Sequence, residues 1–457
     1  MSSALEAIGA YVDRHWSSLD TPGLALGLTD RARPLATIVR GWANIDASSP
    51  VQPGHRFQIG SISKGFTAMA VLREVEAGRI DLDAPVTDYL PWFLVPSRFE
   101  RPVTIHHLLS HTGGLACGLD STGDVVGELL LLLETEIGSE PGTRFRYSNA
   151  GYKALGLVLE AVSGRPWWES VHERVMVPIG MGEADVIITN DVRQRLTVGY
   201  TAPFDDRPWV PEHGWTPSVW CESATADGTI CATAEELAAY ARLLLMRGHG
   251  VLAEPSFARM TARVAEDPEA RGHVYGYGVK WIEGDRLLGH SGSMLGFTAY
   301  LVVDVIAGFG TTVLMNSAFG GYRLELARFA LACLAAEAAG EPMPEIPPPS
   351  EREPWRVPAG GDGNGPPRWE AFAGRYRSWN PWAPILQITE RDGRLWASLV
   401  LSSSDWGDEE RALLRLADGR YRPDEEGSPD RLRFEAFVNG KAVRAVLDGA
   451  AFTRAVV

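Results

Sequence analysis

The chain has 457 residues, 45% of them hydrophobic and 22% charged, with a formal net charge of -15. This length and apolar content predict two or three domains with a large core, and the acidic balance argues against nucleic acid or an anionic membrane as partners. The first twenty residues carry acids and no apolar run flanked by basic residues, so no secretory leader is expected and the cytoplasm is the expected compartment.

The elements follow in order. An N-terminal helix precedes two strands around Ala25 to Gly41, and Arg56-Phe57-Gln58-Ile59 then alternates polar and apolar like a short strand. Next comes Gly60-Ser61-Ile62-Ser63-Lys64-Gly65, after which Phe66, Met69, Ala70, Leu72 and Val75 recur at helical spacing. A helix turns about 100° per residue, so Ser61 and Lys64 return to one face and their side chains can meet. A serine hydroxyl needs a neighbouring base to become a nucleophile, and a partly buried lysine with a lowered pKa can be one. Taken alone, the same four residues also fit a serine N-cap followed by a solvated lysine.

The middle of the chain reads as mostly helical. His106, His107 and His111 are spaced to share a helix face, but no H-E-x-x-H or supporting carboxylate pattern accompanies them, so no metal site is expected. The longest apolar stretch, Leu129 to Leu133, lies between Glu128 and Glu134 and is too short to span a bilayer; it predicts a buried helix or a lid. A Pro141-Gly142 turn leads through Phe145-Arg146-Tyr147-Ser148-Asn149 into a helix carrying Leu155, Leu157, Val158, Leu159 and Val162. Tyr147 and Asn149 therefore fall in a connection, where a phenol can act as a base if a cation such as Lys64 stabilises its phenolate. Trp209, Trp215 and Trp220 form either an aromatic wall near the site or part of the core.

Further on, Gly289-His290-Ser291-Gly292-Ser293 is expected on a strand, where glycines let a ligand backbone approach the edge closely. His290 could hold a substrate carboxylate or join the serine and tyrosine network. After the helix Leu324 to Ala339, residues 343–367 are rich in proline and glycine and read as a linker. Beyond it, Asp392-Gly393, Asp418-Gly419, Asn439-Gly440 and Asp448-Gly449 are hairpin signals between alternating segments, predicting a small antiparallel barrel or sandwich. Cys117, Cys221, Cys231 and Cys333 show neither C-x-x-C spacing nor a secreted disulfide density and are expected as reduced thiols.

The chain order S-x-x-K, Y-x-N, H-x-G resembles that of the penicillin-recognising serine hydrolases, a family that includes class C β-lactamases, D-alanyl-D-alanine carboxypeptidases, D-aminopeptidases, family VIII esterases and penicillin-binding-protein-type thioesterases. Flanking segments agree, notably Leu108-Leu109-Ser110-His111-Thr112-Gly113-Gly114-Leu115, Gly78 to Val86 and Pro141 to Asn149, and the likeness spans roughly residues 5 to 340. It implies an α+β catalytic domain, an antiparallel sheet flanked by helices with a helical subdomain, which suits the element order. Phe372-Ala373-Gly374-Arg375-Tyr376 looks like the opening of the lipocalin-like β-barrel that some relatives append. The expected division is thus 1–342 catalytic, 343–367 linker and 368–457 barrel.

Carried over by position, the resemblance makes Ser61 the acylated nucleophile, Lys64 its base partner, Tyr147 a proton shuttle, and Asn149 a ligand of the substrate amide or of Lys64. The backbone N–H groups of Ser61 and Ser293 would form the oxyanion hole, with Ser291 and Gly292 beside them. His290 stands where many relatives carry lysine. A histidine is only fractionally charged at pH 7, which disfavours a dedicated β-lactamase and suits D-peptidase-like or aminopeptidase-like chemistry. The expected function is hydrolysis of a small amide or ester, including peptides with a D-amino acid, through a Ser61 acyl-enzyme without cofactor or metal. An acyltransferase or thioesterase-like cyclase of the same fold, and a silent binding or sensor protein, are the alternatives. The expected partner is a small-molecule or peptide substrate, with homo-oligomerisation left open.

Overall fold

The computed structural model describes residues 2–118, 124–204, 209–268, 270, 272–321, 323–349, 369–400 and 409–455. It divides into two compact units, Met1–Asp81 with Leu155–Glu353, and Leu82–Ala154 with Pro354–Val457. A boundary read in chain order sees only the proline-rich segment. Packing groups the helical segment 82–154 with the barrel instead. Most of the expected linker, residues 350–367, lies outside the described residues.

Among the described residues, the first unit holds a nine-stranded antiparallel sheet. Its strands are β1 (Gly23–Asp30), β2 (Pro34–Asn44), β3 (Ser49–Pro50), β4 (Ala265–Glu266), β5 (Val274–Tyr275), β6 (Lys280–Glu283), β7 (Leu287–Met294), β8 (Phe297–Asp304) and β9 (Phe309–Met315). Their order across the sheet is β3-β2-β1-β9-β8-β7-β6-β5-β4. Alternation along β1 sends Leu24, Leu26 and Leu28 into one core. That core also takes Ile8, Tyr11 and Val12 of helix α1 (Ser3–His15) and Leu326, Ala330 and Leu334 of the C-terminal helix Arg323–Ala339. On the opposite face of β1, Gly27 admits helix Ala234–Leu245, since a Cβ there would lie 2.3 Å from the Ala234 carbonyl oxygen. Helices thus cover both faces of the sheet at β8 and β9, next to β7.

In the second unit, helix Ile105–Leu109 starts with a capping box formed by Thr104 and His107. The apolar run predicted as a buried helix or lid is a helix, Val125–Leu130, followed by a 3-10 turn, Leu131–Glu134. Leu129 and Leu132 are buried, whereas Leu130 and Leu133 are exposed.

The C-terminal strands β10 (Gly374–Arg377), β11 (Ile385–Arg391), β12 (Arg394–Val400), β13 (Arg411–Arg415), β14 (Tyr421–Pro423), β15 (Leu432–Val438), β16 (Lys441–Leu447) and β17 (Ala450–Arg454) close a sequential antiparallel barrel. Pairing of β10 with β17 completes the closure and removes the sheet edges. Side chains including Tyr376, Leu386, Leu399, Leu432 and Phe452 fill its interior. Arg454 donates to the carbonyls of Ala371, Ala373 and Ala442 and to the Tyr376 hydroxyl. Among the described residues, no helix is long and apolar enough to cross a membrane.

Candidate active site

Ser61 sits in a 3-10 turn, Gly60–Ile62, that leads straight into helix α2 (Ser63–Glu76). The helix expected to bring Ser61 and Lys64 onto one face therefore begins at Ser63, two residues after Ser61. Gly60 explains the tight entry: its φ is +54°, and a Cβ there would lie 2.5 Å from the Ser293 nitrogen. Only glycine meets both demands without strain. The Nζ of Lys64 lies 3.0 Å from Ser61 Oγ and donates to the Asp227 carbonyl at 2.8 Å. Lys64 is fully buried, while Ser61 keeps partial access to solvent.

The segment 226–230 is fastened along the first turn of α2. Thr67 Oγ1 donates to the Ala226 carbonyl at 2.6 Å, and the Ile230 N–H donates to Ser63 Oγ at 3.2 Å. Together with Lys64 on Asp227, these bonds set the lysine rotamer. The Asp227 carbonyl was not foreseen, because a backbone acceptor leaves no mark in the sequence.

Strand β7 runs against the turn that carries Ser61. A Cβ on Gly292 would lie 1.9 Å from the Ile59 carbonyl oxygen and 3.3 Å from the Ser61 nitrogen, so the close approach requires glycine. Ser293 is exposed, Ser291 is half-buried and His290 is buried. His290 Nδ1 donates to the Ser291 carbonyl at 2.5 Å, which leaves Nε2 to accept from the Tyr275 hydroxyl at 3.0 Å. Burial, with Lys280 and Lys64 adding to it, holds the His290 pKa well below its ordinary value of 6.5, so the ring is neutral at pH 7. The fractional positive charge expected from a solvated histidine is absent, and Tyr275 is a partner the sequence did not announce.

Tyr147 and Asn149 belong to the second unit, where both are half-buried. His111 organises their backbone. Its carbonyl accepts the Arg146 N–H at 2.7 Å and its Nδ1 accepts the Ser148 N–H at 3.0 Å. Its ring lies 4.2 Å from that of Tyr147. Ser148 Oγ in turn donates to the Ala116 carbonyl at 2.7 Å and accepts the Gly151 N–H at 3.1 Å, tying the start of helix Asn149–Ser163 to the segment after His111. His111 is thus a scaffold for the backbone around Tyr147. His107 Nδ1 likewise accepts the Thr104 N–H, and burial with neighbouring cations lowers its pKa to about 4.

Trp209 and Trp215 stack at 4.1 Å, with Phe319 parallel to Trp209, while Trp220 lies instead against Arg193. The Trp209-Trp215 stack is half-buried, between the two readings the sequence left open. Cys231 and Cys333 are buried, and burial raises both thiols, Cys333 to about 11.

The family described as Beta-lactamase matches residues 8–335. The chain belongs to that family. Penicillin-binding protein 4 of Amycolatopsis lactamdurans is 30% identical over 315 residues, covering 65% of this chain and 81% of that protein. The octameric penicillin-binding protein homologue from Pyrococcus abyssi superposes with a TM-score of 0.64 at 22% identity, covering 98% of this chain and 100% of its own. D-amino acid amidase from Ochrobactrum anthropi SV3, complexed with L-phenylalanine, gives 0.60 at 22% identity over 74% of this chain and 99% of its own. As a Beta-lactamase family member, the chain has a serine-hydrolase fold with an added barrel, and the likeness to the Pyrococcus protein extends through that barrel.

Proposed function

We propose that this protein hydrolyses a small neutral amide or ester, amides of D-amino acids among them, through a covalent acyl-enzyme on Ser61. The observation that carries this reading is the 3.0 Å contact between Ser61 Oγ and the buried Lys64 Nζ. In its amine form Lys64, held by the Asp227 carbonyl, takes the Ser61 proton. Oγ then bonds to the substrate carbonyl carbon, and the oxyanion is held by the N–H groups of Ser61 and Ser293. Each such donor is worth about 2.7–4 kcal/mol of transition-state stabilisation. Collapse breaks the C–N or C–O bond, and the leaving group takes a proton relayed by Lys64 and Tyr147. Water then attacks the acyl carbon, its proton passing through Tyr147 to the Lys64 amine as Tyr147 gives up its own, and Lys64 returns a proton to Ser61 Oγ as the acyl C–O bond breaks, which regenerates Ser61. Asn149 orients the substrate amide.

Neutral His290 refines the substrate class. It offers no fixed cation for a substrate carboxylate at that position, which favours neutral amides and esters over β-lactams and C-terminal carboxypeptidase substrates. A panel of p-nitrophenyl esters, D-amino acid amides, D-Ala-D-Ala peptides and nitrocefin tests this directly. Turnover of the esters or D-amino acid amides is expected at a kcat/KM at least tenfold above that of nitrocefin and the D-Ala-D-Ala peptides. The reverse order would overturn the substrate assignment.

A further inference from the structure

We propose that Asp430, on the loop between barrel strands β14 and β15, is a positioning residue that sets Tyr147 for proton transfer by anchoring the adjacent Arg146. The inference rests on Tyr147 acting in the acyl transfer described above. Arg146 Nη2 donates to Asp430 Oδ2 at 2.5 Å, and the Asp430 side chain is only 2% exposed. The two residues stand 284 positions apart in sequence, within one compact unit.

The loop is built to hold that carboxylate still. Ser428 Oγ donates to Asp430 Oδ2 at 2.9 Å, and Arg431 Nη1 donates to the carbonyls of Ser428 and Asp430. The Arg431 N–H donates to Asp448 Oδ1 at 2.7 Å, so the turn between β16 and β17 braces the same loop. The loop also grips the stretch of chain that leads to Tyr147. Arg431 Nη2 binds Glu136 at 2.6 Å, and Arg144 binds Glu426 at 2.7 Å. A Cβ on Gly138 would lie 2.0 Å from the Gly427 carbonyl oxygen, so the two backbones touch there. Glu425 completes the charged surroundings, at 3.5 Å from Arg146 and 3.1 Å from Arg411.

Tyr147 is therefore held by His111 through the backbone on either side of it and by the barrel through the side chain preceding it. The titration of the acid pair agrees. Against the effect of burial, Arg146 helps to hold Asp430 below the ordinary carboxylate range, whereas burial and the Asp430 charge push Asp448 well above it. These opposed shifts favour a charged Asp430 facing Arg146, with the proton of the pair toward Asp448.

The test is a double-mutant cycle on the full chain, reading kcat and KM for a p-nitrophenyl ester across pH, with Ser61 labelling by a fluorophosphonate read in parallel. Asp430→Asn is expected to lower kcat at least tenfold with KM changed less than threefold, and to change kcat less than twofold when Tyr147→Phe is already present. Asp448→Asn, which preserves the charge on Asp430, is expected to leave kcat within twofold. Should Asp430→Asn fail to fold, Asp430→Glu and Arg146→Lys are read in the same cycle, with a loss of at least threefold expected from each only when Tyr147 is present. A loss of equal size in the Tyr147 and Tyr147→Phe backgrounds, or no loss, would overturn the proposal. Absence of Ser61 labelling in the wild-type chain would instead overturn the acyl-enzyme reading on which it rests.

Discussion

The Tyr275 hydroxyl donates to Nε2 of buried His290 at 3.0 Å, while Nδ1 of the same ring is committed to the Ser291 carbonyl. The ring thus ties Tyr275 of β5 to β7, the strand beside the Ser61 turn, and the depressed pKa gives the arrangement a measurable signature.

Because His290 resists protonation in the fold but not in the unfolded chain, its contribution is fully present above about pH 6.5 and is lost as pH falls toward the depressed folded value. One such proton changes the unfolding free energy by about 1.4 kcal/mol per pH unit. Urea titrations of wild type and His290→Gln between pH 6.5 and 5 should show a shallower pH slope for the variant. His55, His106, His107 and His273, also depressed, retain the rest of the slope. An unchanged slope would mean that His290 titrates normally.

Gly292 and Gly78 separate close approach from backbone conformation. At Gly292 an added Cβ meets the Ile59 carbonyl at 1.9 Å, whereas at Gly78, with φ +69°, it meets nothing within 4 Å. Gly292→Ala should reduce Ser61 labelling at least a hundredfold by displacing β7 or the nucleophile turn. Gly78→Ala should cost only about 1 kcal/mol of stability with labelling unchanged. Equal effects would show that contact with the turn is unimportant.

His111 is predicted to act through structure. His111→Ala removes the acceptor for the Ser148 N–H and should destabilise the chain by about 1–3 kcal/mol, with kcat falling alongside. His111 has φ +57°, a conformation asparagine tolerates, and the Asn Oδ1 can accept the same N–H, so His111→Asn should recover at least half of the lost stability. Denaturant melts read the outcome. No recovery by asparagine would point instead to a role for the imidazole ring itself.

Legibility in the sequence followed the range of the physics. Asp392-Gly393, Asn439-Gly440 and Asp448-Gly449 announced hairpins through local chemistry, and in each pair both residues take positive φ. Ser61 and Lys64 were legible because helical geometry brings positions three apart together. The Asp227 carbonyl on Lys64, the Tyr275 hydroxyl on His290 and the Arg146–Asp430 pair were not, since each depends on tertiary packing and the last spans 284 positions. His111 was visible as part of a loop motif, but its scaffold role depends on where the chain brings Ser148.

Every step of the proposed reaction depends on acylation of Ser61. Intact-mass analysis of the folded chain after brief exposure to a p-nitrophenyl ester or a fluorophosphonate, followed by peptide mapping, tests it most directly. One adduct is expected, on Ser61, with both adduct and turnover lost in a folded Ser61→Ala chain. An adduct elsewhere, no adduct at all, or turnover surviving in Ser61→Ala would contradict it.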